Sequence, residues 1–212
     1  MTADALARRL QLIRSQIPDA VKLIAVSKTF PAPRIVEAHK LGLTDFGENK
    51  VQETNLKRQD LQTIPGLKWH LIGHLQSNKL KQALRLFDYI HSVDREDLLE
   101  RLSEFQSQGE FLPKLLLQVK LLPDPYKHGM SIAQAYKFSQ SFAKLPICGL
   151  MTILPQQTVG EEAYLTFKNL RALADELKLP ECSMGMSGDY REAVRAGSTM
   201  VRIGQALFGA RE

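Results

Sequence analysis

Lys28 closes a short aliphatic run, Leu23-Ile24-Ala25-Val26-Ser27-Lys28, and a Thr29-Phe30-Pro31 turn follows at once. A run this apolar and this short reads as a buried strand rather than a helix. The strand delivers an amine to the rim of its sheet. Partial withdrawal from water lowers the pKa of an amine, because desolvation disfavours the charged form. Such an amine is a nucleophile able to form a Schiff base with an aldehyde. A lone lysine in this position more often caps a strand into solvent, so the rest of the chain must decide between the two.

Two further segments carry chemistry. Ser187-Gly188-Asp189 offers a hydroxyl and a backbone that a ligand can approach. Arg202-Ile203-Gly204-Gln205 ends a strand and starts a helical turn, whose first N–H groups point at any nearby anion. Together they outline a phosphate cradle, although two ordinary glycine turns would read the same way. Arg202 stands inside an apolar strand, between Val201 and Ile203. A buried charge needs a partner, here a carboxylate or a ligand nitrogen or phosphate. An amine nucleophile, an anion cradle and an inward arginine suit a phosphorylated aldehyde with a basic ring nitrogen, which is pyridoxal 5'-phosphate.

The elements that must hold these groups alternate along the whole chain. Leu6, Leu10, Ile13 and Ile17 recur at helical spacing, so residues 3 to 17 predict an extra helix ahead of the first strand, with Pro18 closing it. Strands are then expected at 23–28, 43–46, 67–72, 88–93, 115–119, 147–153, 182–187 and 199–203. The intervening segments predict helices. Aliphatic strands without strict alternation are buried on both faces, as in parallel sheets. About eight such units point to a single (β/α)8 barrel spanning residues 1–212, with an open doubly wound sheet as the alternative. In such a barrel, active groups lie at the C-terminal ends of the strands, where Lys28, Ser187 and Gly204 are expected.

Composition sets the class. Hydrophobic residues make up 44% of the 212 residues, charged residues 24%, and the net charge is +5. That mild excess allows anionic small molecules and does not call for nucleic acid. Two distant cysteines, Cys148 and Cys182, suit a reducing compartment. No stretch of about 18 apolar residues suggests a membrane span. The N-terminus carries Asp4, Arg8, Arg9 and Arg14, not the apolar core of a signal peptide, so the expected location is the cytoplasm. No helix shows a second apolar stripe, which favours a monomer.

The stretches LIAVSKTF, DFGENKVQE, WHLIGHLQSNK, GLMTILP and SMGMSGDYREAVRAGSTMVRIGQALFGAR resemble the YggS/PROSC family of pyridoxal phosphate homeostasis proteins. The resemblance covers nearly the whole chain. It implies a single barrel similar to the N-terminal domain of alanine racemase, with Lys28 as the Schiff-base residue. By the same resemblance Ser187, Gly188, Gly204 and Gln205, with Ile203 beside them, hold the phosphate. Arg202 faces the pyridine nitrogen, Asn49 lies near the ring hydroxyl, and His70 and Met151 line the pocket. Lys50, Thr152, Cys182 and Arg191 depart from the family pattern. None of the four touches the lysine or the phosphate loop.

The implied role is vitamin B6 homeostasis: holding the cofactor, keeping free aldehyde low, and passing the cofactor to apo-enzymes that accept it. A permanently charged arginine at the ring nitrogen opposes its protonation, and so opposes strong catalysis. Racemases of this barrel type use a second domain, and the sequence stops at Glu212. A pyridoxal-dependent racemase, lyase or transaminase is the alternative, and a cofactor-responsive partner-binding protein is a third reading.

The other candidates read blandly. His70 and His74 are four apart but separated by Gly73, so no metal site is expected. His128 belongs to a connecting loop with Pro123, Pro125 and Tyr126. Met184 and Met186 read as core filling, both cysteines as packed, and Asp94 to Asp97 and Glu161-Glu162 as charged helix starts.

Overall fold

The computed structural model describes residues 3–124 and 127–209. Pro125 and Tyr126 of the predicted connecting loop lie outside the described residues, as do the C-terminal residues 210–212 of the family-like stretch. The elements run α1 (Ala3–Arg14), β1 (Lys22–Val26), α2 (Ala32–Lys40), β2 (Asp45–Glu48), α3 (Val51–Asp60) and β3 (Lys68–Leu71). A 3-10 turn at Ser77–Lys79 leads into α4 (Leu80–Leu86), β4 (Tyr89–Val93), α5 (Glu96–Ser107), β5 (Lys114–Gln118) and α6 (Ile132–Ser141). Then come β6 (Ile147–Met151), α7 (Gly160–Glu176), β7 (Glu181–Ser183), α8 (Tyr190–Arg195), β8 (Met200–Ile203) and α9 (Gln205–Phe208).

The eight strands pair in sequence order, all parallel, and β1 closes on β8 with Ile24 opposite Arg202. The sheet is therefore a closed barrel, not an open one. Its outer face and the helices share one continuous apolar layer, in which Phe46, Phe138, Phe167 and Phe208 are fully buried. Each such side chain contributes about 1.5–3 kcal/mol. The interior holds a smaller apolar set, Ile24, Tyr89, Leu116, Met151 and Met200. Polar side chains fill the space beside it.

Several boundaries differ from the periodicity, and three of them have a clear local reason. β1 ends at Val26 because the Ser27 carbonyl and the Thr29 N–H are taken by the side chains of Lys57 and Glu53 rather than by a strand. β2 runs through Gly47 to Glu48, past the predicted end at Phe46. A Cβ there would lie 3.1 Å from both Ile24 and Ile72, so the missing side chain lets neighbouring strands pack across it. β7 stops at Ser183, ahead of Gly185 at φ 92°. Met186 consequently falls outside the strand and is exposed, which corrects its assignment to the core, whereas Met184 is fully buried.

Candidate functional site

Lys28 sits half-buried in the turn that leaves β1 at the C-terminal rim of the barrel. That turn is clamped by an ionic cluster. Lys57 Nζ donates to the Ser27 carbonyl at 2.8 Å and pairs with Glu48 and Glu53, both at 2.7 Å. Ser27 Oγ donates to Glu48 Oε1 at 2.6 Å, and the Thr29 N–H donates to Glu53 at 2.6 Å. Thr29 adopts φ 70°, a conformation unfavourable for a β-branched residue, and its N–H bond to Glu53 helps to hold it there. Glu48 is fully buried, and its Oε2 has no hydrogen-bond partner. Burial raises its carboxyl above the ordinary range, more than Lys57 lowers it.

Arg202 projects from β8 with 3% of its surface exposed. Its guanidinium donates to Ser183 Oγ at 2.6 Å and to the Thr152 carbonyl at 2.8 Å. Among the described residues no carboxylate lies within 4.0 Å of it. Burial lowers the guanidinium to about 10, still cationic at neutral pH.

A chain of hydrogen bonds runs from Arg202 through the interior. His91 Nδ1 lies 2.9 Å from Ser183 Oγ, His91 Nε2 is 2.9 Å from His70 Nδ1, and His70 Nε2 is 2.9 Å from Asp45 Oδ1. An ionised carboxylate only accepts and a guanidinium only donates, so both ends fix one direction. Arg202 donates to Ser183, Ser183 to His91, His91 to His70, and His70 to Asp45. Each imidazole then carries one proton, consistent with pKa values that burial lowers at both His70 and His91. Burial raises the Asp45 carboxyl, but the hydrogen bonds from His70 and Thr44 outweigh it, and the net shift is downward. The buried cation thus reaches this carboxylate through relayed dipoles rather than by contact.

The two glycine-containing segments meet at the rim. The Ala206 N–H donates to Ser187 Oγ at 3.1 Å, joining the loop after β7 to the turn after β8. The ladder of α9 begins with Leu207 and Phe208 donating to the Gly204 carbonyl, which leaves the N–H groups of Gly204 and Gln205 ahead of it. A Cβ at Gly188 would meet nothing within 4 Å, so this backbone is open to a ligand. A Cβ at Gly204 would press on Val26 at 3.3 Å.

The remaining predicted residues divide into two groups. Asn49 is half-buried at the end of β2, packed so closely on Gly73 that a Cβ there would lie 2.4 Å from the Asn49 carbonyl oxygen. Met151 is fully buried in the barrel interior. The Ile203 side chain points the other way, into the layer beneath the helices, leaving its main chain for the rim. His70 is fully buried in the interior. Both of its ring nitrogens are engaged, and it stacks on Tyr89 with ring centroids 4.5 Å apart.

Of the departures, Thr152 contributes its carbonyl to Arg202 whatever its side chain, Lys50 is exposed ahead of α3, and Arg191 bonds Gln16. Burial raises the thiols of Cys148 to about 11 and Cys182 to about 12, so neither is a thiolate at neutral pH. The clamp residues Glu48, Glu53 and Lys57 and the relay residues Asp45, His91 and Ser183 were missed by motif reading. Their signal was a polar side chain inside an apolar strand, as at Asp45 and His91, and the Glu53–Lys57 spacing on α3.

Comparison with known proteins gives the family of the chain. The alanine racemase N-terminal domain family matches residues 1–212. The pyridoxal phosphate homeostasis protein of Synechocystis sp. is 41% identical over 209 residues, covering 94% of this chain and 95% of that one. Its Pseudomonas aeruginosa counterpart is 43% identical over 203 residues, covering 92% and 86%. The structure of PipY from Synechococcus elongatus with PLP bound superposes with a TM-score of 0.90 at 44% identity, covering 96% of this chain and all of that one. Alanine racemase from Bartonella henselae shares the fold alone, with a TM-score of 0.76 at 14% identity, covering 99% of this chain and 60% of that one. The chain belongs to the alanine racemase N-terminal domain family, among the pyridoxal phosphate homeostasis proteins.

Proposed function

We propose that the chain binds pyridoxal 5'-phosphate covalently through Lys28 and serves intracellular vitamin B6 homeostasis as a carrier, not as an enzyme. The observation that carries this reading is Arg202: a buried guanidinium held by a hydroxyl and a carbonyl, with no carboxylate against it. The residues present fit the cofactor. Lys28 offers the amine at the rim, and Ser187, Gly188, Gly204 and Gln205 would hold the phosphate, with the Ile203 main chain beside them. Arg202 is the group for the ring nitrogen, Asn49 for the ring hydroxyl, and Met151 for the apolar face. His70 acts from behind, through His91 and Ser183. When bound, the cofactor supplies a reactive aldehyde and, with a protonated ring, an electron sink. The Arg202 cation opposes that protonation, so the site favours storage over turnover.

The PLP-bound PipY structure and the relatives' shared name support cofactor binding. Transfer of the cofactor to apo-enzymes and a monomeric state belong to the same proposal. No described helix is long and apolar enough to cross a membrane. Mass spectrometry of borohydride-reduced protein tests the reading. We expect one pyridoxyl group on Lys28 and none in Lys28→Ala. An adduct on another lysine would overturn the covalent assignment, and amino-acid turnover above that of free cofactor would overturn the carrier role.

A further inference from the structure

We propose that His74, Asp94 and His128 form a divalent-cation site on the rim of the barrel, for a borderline first-row ion with zinc as the best fit. The three residues come from three successive connections: after β3, at the end of β4, and after β5. Asp94 Oδ2 lies 3.3 Å from His74 Nδ1 and 3.7 Å from His128 Nδ1, and one ligand atom from each residue lies within 4.8 Å of the other two. A tetrahedral zinc with ligands at about 2.0–2.2 Å sets neighbouring ligand atoms about 3.3–3.6 Å apart. The two contacts therefore already have nearly the spacing of ligands on one ion. The imidazoles stack with centroids 4.2 Å apart, which brings both rings to the same side of the carboxylate.

The carboxylate is prepared for this role. Asp94 has only 5% of its side chain exposed, so it is not the solvated helix start that its sequence context suggests. Arg95 holds Oδ1 at 2.8 Å and is itself fixed by the Leu75 carbonyl and Ser77 Oγ, leaving Oδ2 to face the rings. A hydrogen bond to the far oxygen is how ligating carboxylates are commonly oriented. Two imidazoles and one carboxylate select a zinc-like ion over magnesium or calcium, which prefer oxygen alone. Three protein ligands leave a position for water. In an eight-stranded ring the ends of β3 to β5 lie across the mouth from those of β7 and β8. A bound ion ties the connection after β5 to the rim.

Calorimetric titration of zinc chloride into chelator-stripped protein, with and without pyridoxal phosphate, tests the site. One ion per chain is expected, with affinity at least about tenfold weaker in His74→Ala and His128→Ala, both of which keep their cofactor absorption. Zinc should also raise the melting midpoint of the wild type and not that of His128→Ala, whose exposed side chain is not needed for folding. Absence of zinc uptake by the wild type, or uptake that survives both replacements, would overturn the proposal.

Discussion

His70 Nδ1 and His91 Nε2 meet at 2.9 Å inside the barrel, and that contact joins the lower interior, where Asp45 sits, to the Arg202 guanidinium near the mouth. Neither imidazole is exposed. Each accepts at one nitrogen and donates at the other, so neither can take up a second proton without losing an acceptor in the chain.

The pH dependence follows with a definite sign. Burial holds His91 well below its ordinary 6.5, and His70 is also lowered. The unfolded chain binds protons at these residues as pH falls below about 6.5, while the folded chain does not, so stability is present above that value and lost on the acid side. Melting midpoints across about pH 7 to 5 should fall in the wild type and flatten in His91→Gln. Parallel profiles would show that His91 does not set the slope.

Lys57→Met should destabilise the protein by about 3–5 kcal/mol, because it strands the buried Glu48 carboxylate without its partner. Adding Glu48→Gln should recover part of that loss, as the second change removes the stranded charge. Urea unfolding of the two single variants and the double variant measures the coupling.

Ser187→Ala should weaken pyridoxal phosphate binding about 10- to 100-fold, the range of a hydrogen bond to a charged group. Binding of pyridoxal, which lacks the phosphate, should change little. Equal losses for both ligands, measured by titration in visible absorption, would place Ser187 away from the phosphate.

Arg202→Glu exchanges a cation for a carboxylate at the proposed ring-nitrogen position. Protonation of the ring should rise, the visible band should shift, and side reactions with amino acids should appear. An unchanged spectrum and reactivity would remove Arg202 from the cofactor.

Short-range patterning carries much of this fold. The aliphatic run before Lys28, the buried-strand character of residues 115–119 and the helical spacing of Leu6, Leu10 and Ile13 in α1 are local properties, set by side chains a few positions apart, and each of these elements lies close to where its periodicity puts it. Lys28 and Arg202 were legible because a charge at the edge or in the middle of an apolar strand needs a reason. The convergence of partners was not legible. Ser183 meets His91 across 92 positions of sequence, and Arg202 meets the Thr152 carbonyl across 50. Only closure of β8 onto β1, and the resulting register, decides which inward side chains share a layer. The same closure places His74, Asp94 and His128 together, and sends His70 inward to His91 and Asp45. Periodicity specifies which face of an element is buried, whereas the contacts made inside a barrel depend on how all eight strands stagger around it.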